Sequence, residues 1–120
     1  MVKILITDDS SLSRKILKKM LSQEDYEIME AENGLRAMEV YFLEKPDVML
    51  LDLAMPDISG LEVLAKIREL DSQAKIIIAT ADLQDLTIKA TQEAGAVGYI
   101  TKPFNKEKVL ETIHQVLNNS

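Results

Sequence analysis

The sequence predicts an α/β fold with a doubly wound, five-stranded parallel sheet, and three observations support this. Short apolar runs alternate along the chain with amphipathic segments of about 10–14 residues, the pattern of successive βαβ units. Three of the apolar runs are almost continuously apolar, as expected for central strands that are covered on both faces. Acidic, hydroxyl and lysine side chains directly follow the strands, at the sheet edge where folds of this class bind ligands.

Five runs of strand-forming residues predict the five strands. The second run carries Glu27 and Glu30, and this charge favours a place at one edge of the sheet. Right-handed crossovers then favour the strand order 2-1-3-4-5, which places the switch point between the first and third strands. The predicted strands are Lys3–Thr7, Tyr26–Ala31, Val48–Leu51, Lys75–Ala79 and Gly98–Thr101.

Capping and breaking residues delimit five helices between and after the strands. The first helix is expected to end at Ser22, the second before Pro46 and the fourth at Gly95. Ser59 followed three residues later by Glu62 is a capping box, which predicts the start of the third helix. The predicted helices begin at Ser10, at Asn33-Gly34, at Ser59, near Asp82 and at Asn105, and the last ends near Asn118-Asn119-Ser120.

Helical spacing predicts which side chains of each helix face the sheet. On the first helix a basic face lies opposite the apolar one, and it is either a solvated surface or a docking surface for a partner; it carries Arg14, Lys15, Lys18 and Lys19. The expected core contacts are Leu12, Ile16, Leu17, Met20 and Leu21 in the first helix; Leu35, Met38, Tyr41 and Phe42 in the second; Leu61, Leu64 and Ile67 in the third; Leu83, Leu86 and Ala90 in the fourth; and Val109, Ile113, Val116 and Leu117 in the fifth.

Size and composition limit the classes of function. A chain of 120 residues, 47% of them hydrophobic, suits one domain covering residues 1–120. The net charge of −6 argues against direct nucleic-acid binding, which needs a basic surface. Without cysteine there are neither disulfides nor thiolate metal sites. No apolar run reaches the roughly 18 residues of a membrane span, and Val2–Ile6 is too short for a signal sequence, so we expect a cytoplasmic protein.

Five chemically active side chains should meet at the carboxyl edge of the sheet. Asp8, Asp9 and Asp52 lie at the predicted switch point, while Thr80 and Lys102 follow the fourth and fifth strands. Three neighbouring carboxylates repel one another unless a cation joins them. Mg²⁺ prefers oxygen ligands and combines carboxylates with phosphate oxygens, and together with the Lys102 ammonium it would balance the three negative charges. The pattern therefore predicts a metal-dependent phosphoryl site.

Four separate motifs resemble those of the receiver domains of two-component response regulators. The likeness covers the whole chain and implies the CheY-like, flavodoxin-like three-layer sandwich of that family. The motifs are Asp8-Asp9-Ser10, Leu51-Asp52-Leu53-Ala54-Met55-Pro56 with Gly60, Thr80-Ala81, and Lys102-Pro103-Phe104.

The resemblance implies a phosphorylation-controlled switch with Asp52 as the phospho-acceptor. The phosphoryl group would come from a histidine of a sensor kinase or of a phosphotransfer protein. Asp9, Asp52 and the backbone carbonyl of Ala54 would bind Mg²⁺, or Mn²⁺ in its place, and Asp8 would hold the water ligands of the metal. The domain would catalyse only its own phosphorylation and dephosphorylation.

The resemblance also assigns roles to groups around the acceptor. Lys102 and Thr80 would contact phosphoryl oxygens, Ala81 would leave the site open, and the Lys102-Pro103 bond would be cis. Tyr99 is either a half-buried aromatic of an edge strand or a switch coupled to Thr80. The coupled switch would alter the surface of the fourth helix, fifth strand and fifth helix, where an unknown protein target would bind.

Two further positions flank the site, and their combined effect on the lifetime of the acyl phosphate is not predictable from the sequence. Ala54 cannot hold an attacking water, whereas Asp82 can orient or repel one. Met55 and Pro56 belong to the loop that follows the acceptor.

Four alternatives compete with this prediction. A Mg²⁺-dependent phosphatase of small substrates would carry a second Asp where this chain has Ala54. A flavodoxin-like cofactor binder would need a phosphate-binding loop in place of Asp8-Asp9, which repels phosphate in the absence of metal. A degenerate receiver is disfavoured because every chemical residue is present. A receiver cut from a larger regulator with an output domain remains open.

Overall fold

In the computed structural model, which describes residues 1–81 and 84–119, five strands alternate with five helices. The strands are β1 (Val2–Thr7), β2 (Tyr26–Ala31), β3 (Val48–Leu51), β4 (Ile76–Thr80) and β5 (Gly98–Thr101). The helices are α1 (Ser11–Met20), α2 (Gly34–Glu44), α3 (Gly60–Leu70), α4 (Asp85–Glu93) and α5 (Lys106–Asn118).

The strands form one parallel sheet in the order β2-β1-β3-β4-β5, as the sequence predicted. The chain reverses its direction of winding between β1 and β3, whose register pairs Thr7 with Leu51. The residues that follow these two strands therefore emerge side by side, at the switch point of the fold.

Helices cover both faces of the sheet and create two hydrophobic cores. Leu17 and Leu21 of the α1 region pack with Val109 and Ile113 of α5 on one face. On the other face α2 and α3 supply the core, and α4 packs beside α3. All residues of β3 and β4 are buried, which confirms their prediction as central strands. Burial of each large aliphatic side chain contributes about 1.5–3 kcal/mol, so these strands hold the site edge rigidly.

The predicted helix starts are confirmed where a side chain caps the helix. The side chains of Ser10, Asn33, Ser59 and Asn105 each accept a hydrogen bond from the backbone N–H three residues later. α4 is described from Asp85, and the predicted start near Asp82 lies outside the described residues.

The predicted inward faces of α1 and α2 were partly wrong. In α1 Leu12 is 65% exposed and Ile16 38% exposed, and the buried side chains are Leu17 and Leu21. In α2 Tyr41 is buried as predicted, but Leu35 and Phe42 are exposed, while Ala37 and Val40 face the core. Apolar residues surround much of α2, so its orientation follows from close packing of the small residues Gly34 and Ala37.

The predictions for the last three helices were more accurate. Leu64 and Ile67 are buried in α3, and Val109, Ile113 and Val116 in α5, with Leu117 half-buried. Leu61 and Leu86 are exposed, against prediction, and Val63 and Thr91 are the additional buried residues of α3 and α4. Leu83 lies outside the described residues. None of the described helices is long and apolar enough to cross a bilayer.

Candidate functional site

The sheet brings the predicted site residues to one edge. Asp8 and Asp52 follow β1 and β3 directly, Thr80 ends β4, and Lys102 follows β5. The backbone N–H of Asp52 donates to the Thr7 carbonyl at 3.0 Å, and that of Lys102 donates to the Thr80 carbonyl at 3.1 Å. These hydrogen bonds extend the sheet pairing by one residue and align the side chains that follow each strand.

The three aspartates form one acidic cluster. Asp8, Asp9 and Asp52 can each offer a carboxylate oxygen such that all three oxygens lie within 4.8 Å of one another. Asp8 and Asp52 are 1% and 4% exposed, whereas Asp9 faces solvent. The backbone N–H of Ser10 donates to Asp8 Oδ1 at 2.9 Å and orients this carboxylate before α1 begins.

The Lys102 ammonium lies between the two buried carboxylates. Its Nζ atom is 2.9 Å from Asp8 Oδ2 and 3.1 Å from Asp52 Oδ2. The bond to Asp52 has hydrogen-bond geometry, but Asp8 Oδ2 has no well-directed partner among the described residues despite the close ion pair. The Lys102-Pro103 peptide bond is cis, as predicted.

Burial and ion pairing shift the pKa values of Asp8 and Lys102. Burial raises the pKa of Asp8, aided by the Asp52 charge, and outweighs the Ser10 N–H and the Lys102 ammonium, which lower it. Burial acts to lower the pKa of Lys102, but the adjacent carboxylates of Asp8 and Asp52 together raise it. Lys102 is therefore firmly charged, whereas ionisation of Asp8 costs free energy in the folded state.

The residues present fit a divalent cation that prefers oxygen ligands. One ammonium facing three carboxylates leaves two formal negative charges uncompensated, and Asp8 Oδ2 is a buried oxygen that receives no directed hydrogen bond from the described part of the chain. Mg²⁺ uses one or two carboxylates and keeps several waters, which suits one exposed and two buried aspartates. Relatively few protein ligands are offered, so we expect weak binding.

The loop after Asp52 packs tightly against α3. The Gly60 N–H donates to the Leu53 carbonyl at 2.9 Å, and a Cβ atom on Gly60 would lie 2.3 Å from the Asp52 carbonyl oxygen. Ala54 and Pro56 are exposed, and Met55 is half-buried against the core. The Ala54 N–H lies 3.4 Å from Asp52 Oδ1, a long hydrogen bond that still orients the carboxylate.

Two residues that support the site were not identified from the sequence. Asp57 accepts hydrogen bonds from the Gly34 and Leu35 N–H groups at 3.0 and 2.9 Å, and so ties the acceptor loop to the start of α2. Arg14 donates to the Asp8 carbonyl at 2.7 Å and pairs with Glu30. The partners of Asp57, and Glu30 as the partner of Arg14, are 16 to 23 residues away along the chain, so these contacts have no local sequence signal.

The predicted basic face of α1 is divided by these contacts. Arg14 and Lys18 both pair with Glu30 of β2, and Lys18 is exposed together with Lys15 and Lys19. An exposed ion pair contributes little free energy, so all three lysines of this face can contact an approaching partner.

Thr80 and Tyr99 lie on the same face of the sheet. Register pairs Ile78 with Tyr99 and Thr80 with Thr101, and residues two apart in a strand point to the same side. Thr80 is buried, and Tyr99 is half-buried with its hydroxyl against α4 rather than in the acidic cluster. Ala81 and Pro103 are exposed beside the site, and Asp82 lies outside the described residues.

This arrangement is suited to phosphoryl transfer. A carboxylate that is held by a strand end, next to an ammonium and a cation-binding cluster, can act as a nucleophile toward phosphorus. The surrounding positive charges would stabilise negative charge on the transferring group, which is the main requirement of that reaction.

The chain is similar to known proteins over almost its whole length. Residues 4–114 match the family model described as the response regulator receiver domain. The chain is 43% identical over 115 residues to the chemotaxis protein CheY of Halobacterium salinarum, covering 95% of each chain.

Two similar solved structures bear on the chemistry. The response regulator TrrA of Thermotoga maritima, in complex with Mg²⁺ and beryllofluoride, is 39% identical with a TM-score of 0.89, and the match covers 98% of this chain and all of that one. A chain of the CheX–CheY–BeF₃–Mg²⁺ complex of Borrelia burgdorferi is 30% identical with a TM-score of 0.92, covering 96% of this chain and 88% of that one.

Proposed function

Because this chain belongs to the response regulator receiver domain family, we propose that it is a phosphorylation-controlled signalling switch whose phospho-acceptor is Asp52. One observation carries the proposal: the Asp52 carboxylate lies at the end of β3, contacts the Lys102 ammonium and is followed by the exposed Ala54, whereas the neighbouring buried Asp8 is held by the Ser10 N–H at the start of α1. This gives a single nucleophile, with charge stabilisation beside it.

The reaction is a transfer between two nucleophiles. A carboxylate oxygen of Asp52 forms a bond to phosphorus as the bond from phosphorus to a histidine nitrogen of the donor breaks, and the imidazole keeps the electron pair of that bond and is protonated by solvent. Lys102 pairs with one phosphoryl oxygen, and the Thr80 hydroxyl donates a hydrogen bond to another. Both are carried by strand ends and need little reorganisation.

The metal would be held by Asp9, Asp52 and the Ala54 carbonyl, while Asp8 would hold its water ligands. Bound Mg²⁺ supplies positive charge to the transferring phosphoryl group. The fit of the acidic cluster to a divalent cation and the Mg²⁺ in two related structures support this assignment.

The donor would be a histidine of a sensor kinase or of a phosphotransfer protein, and the output would be a protein that binds the surface of α4, β5 and α5. The related Borrelia chain is found in a complex with CheX, which supports control through protein partners. A chemotaxis pathway is the first candidate, given the likeness to CheY. A cytoplasmic location and the lack of direct nucleic-acid binding stay predictions.

The proposal is tested by labelling with a small phosphodonor. Incubation with acetyl phosphate and Mg²⁺ should add the mass of one phosphoryl group, and peptide mapping after borohydride reduction should place it on Asp52. Asp52→Asn should take up none, whereas Asp47→Asn, a matched control at an exposed aspartate that precedes β3, should be labelled like the wild-type protein. Equal labelling of the Asp52 variant would refute the assignment.

A further inference from the structure

We propose that Thr91 of α4 is a positioning residue of the switch: its hydroxyl holds Tyr99 against α4 and thereby limits the fraction of molecules in which Tyr99 moves beside Thr80. The proposal rests on the proposed function and names a regulating contact within it. Thr91 has no counterpart among the motifs that identify the site, and it is not a phosphoryl-binding residue.

The contact is a buried hydroxyl pair. Thr91 is 1% exposed, and its Oγ1 lies 2.9 Å from the Tyr99 hydroxyl. Thr91 Oγ1 also lies 3.0 Å from the carbonyls of Thr87 and Ile88, and the Tyr99 hydroxyl lies 3.2 Å from the Ile88 carbonyl. Each hydroxyl has one proton, so one of them donates to the other and the other donates to a backbone carbonyl of α4.

The sheet places this pair next to the phosphoryl site. Tyr99 pairs with Ile78 across β4 and β5, and Thr80 follows Ile78 by two residues on the same face. Thr80 and Tyr99 are therefore diagonal neighbours, within reach of a long aromatic side chain. The hydroxyl of Tyr99 nevertheless points to α4, where Thr91 is the one described side chain that hydrogen-bonds to it.

Release of Tyr99 leaves no buried group unsatisfied on the helix. Thr91 can donate to the Thr87 carbonyl, four residues earlier, when Tyr99 departs. The penalty for release is therefore close to the net value of one or two hydrogen bonds, which suits an equilibrium that one modification can shift. Loss of the Thr91 hydroxyl should raise the released fraction about fivefold, the factor expected for one net hydrogen bond.

Three variants isolate the contact. Thr91→Val keeps the shape and removes the hydroxyl, and Thr91→Ser keeps the hydroxyl. Thr112→Val in α5 is the matched control, since the Thr112 hydroxyl makes the same kind of bond to the Lys108 carbonyl four residues earlier but makes no hydrogen bond to a tyrosine among the described residues. The chain has three tyrosines, so 3-fluorotyrosine labelling gives three ¹⁹F signals, and Tyr99→Phe assigns that of Tyr99.

Thr91→Val should move the Tyr99 signal toward its position in the wild-type protein with Mg²⁺ and beryllofluoride, and should speed Asp52 labelling by acetyl phosphate about fivefold. Thr91→Ser and Thr112→Val should do neither. In the Tyr99→Phe background, Thr91→Val should have no further effect on the labelling rate. A merely structural role for Thr91 would lower thermal stability without changing the signal or the rate.

The outcomes separate the two proposals. If wild-type Asp52 is labelled but Thr91→Val leaves the Tyr99 signal and the labelling rate unchanged, the Thr91 contact does not control the switch and the proposed function stands. If wild-type Asp52 is not labelled at all, the proposed function fails and the regulating role of Thr91 fails with it.

Discussion

At the scale of single residues, the buried negative charge of Asp8 is unfavourable in the folded state. Its carboxylate is almost fully buried beside Asp52, and one ammonium serves both groups. The raised pKa of Asp8 means that the folded state resists its ionisation more than the unfolded state does. The carboxylates that would bind a cation therefore lower the stability of the metal-free protein.

Asp8→Asn should therefore stabilise the metal-free protein at neutral pH, by about 1 kcal/mol. A group with a raised pKa in the folded state contributes stability below its unfolded pKa and loses that contribution as pH rises through the folded value. The gain in unfolding free energy of the variant over the wild-type protein should therefore be largest near pH 7. It should decrease as pH falls and Asp8 becomes protonated. Urea unfolding in EDTA across this range measures it, and a variant less stable at pH 7 would contradict the argument.

Gly60 is required by close approach of two backbones. A Cβ atom at this position would lie 2.3 Å from the Asp52 carbonyl oxygen and 2.6 Å from Leu53 Cα, and neither backbone atom can rotate away. Gly60→Ala should destabilise the fold by about 2–3 kcal/mol and slow Asp52 labelling, because the end of β3 must shift. Gly98→Ala is the control: its Cβ would meet the Thr112 side chain at 3.1 Å, so a smaller loss is expected. If urea unfolding shows the same loss of unfolding free energy in both variants, close backbone approach is not the reason that position 60 requires glycine.

At the scale of elements, Asp57 joins the acceptor loop to α2. Its carboxylate is exposed, yet hydrogen bonds from the Leu35 and Gly34 N–H groups lower its pKa, as expected for an anion at a helix N-terminus. This loop begins at the proposed acceptor, so the position of α2 and that of the site are linked through one side chain.

Asp57→Asn should lower stability at neutral pH, because the amide keeps one acceptor oxygen but loses the charge. A carboxylate with a depressed folded pKa contributes stability above its unfolded pKa and loses it as pH falls through the folded value. The difference in stability between the variant and the wild-type protein should therefore become smaller below about pH 4. Thermal unfolding at pH 7 and pH 3 provides the measurement, and a constant difference at both values would point to lost packing instead.

At the scale of the whole molecule, metal binding and folding are linked. A cation that binds the folded state and relieves its repulsion raises stability by about 1.4 kcal/mol at ten times its dissociation constant. The melting temperature should rise on addition of Mg²⁺ and saturate. Asp9→Ala should abolish both the saturable rise and the binding measured by titration, and an unchanged response would remove Asp9 from the proposed ligands.

The second whole-molecule prediction concerns transmission from the site to the surface of α4, β5 and α5. A phosphoryl group on Asp52 adds negative charge and acceptor oxygens, and Thr80 and Lys102 end the two strands nearest that surface. Mg²⁺ with beryllofluoride should therefore shift the amide signals of Leu86 and of residues 99–104, beyond the acidic cluster. Shifts that stop at the cluster, or that persist in Thr80→Ala, would exclude coupling through Thr80.

Much of the fold, and the gathering of Asp8, Asp9, Asp52, Thr80 and Lys102 at one edge of the sheet, were predictable from local patterns. Continuous apolar runs identified β3 and β4 as central strands, and topology rules then gave the order of the sheet. A capping box marked the start of α3 at Ser59, and Asn105 was predicted to cap α5. These signals are local because each depends on the backbone hydrogen bonds of a few consecutive residues.

The orientation of α2 was not predictable in this way. Leu35 and Phe42 have the hydrophobicity of core residues, yet the helix turns Ala37 and Val40 toward the sheet. An apolar pattern that surrounds a helix defines no single face, so the choice falls to packing, and here Gly34 allows close approach to Ile58 and Val63.

The sequence by itself determined the strand order, the edge at which chemistry takes place, and the acidic, hydroxyl and ammonium groups that gather there. Only the tertiary structure decided how those groups are partnered: Lys102 between Asp8 and Asp52, Asp57 on the start of α2, and Tyr99 on Thr91. The physical reason is the distance along the chain over which each kind of interaction acts. Strand and helix signals act over a few residues, whereas a hydrogen bond between distant side chains exists only when packing has brought both atoms within about 3 Å.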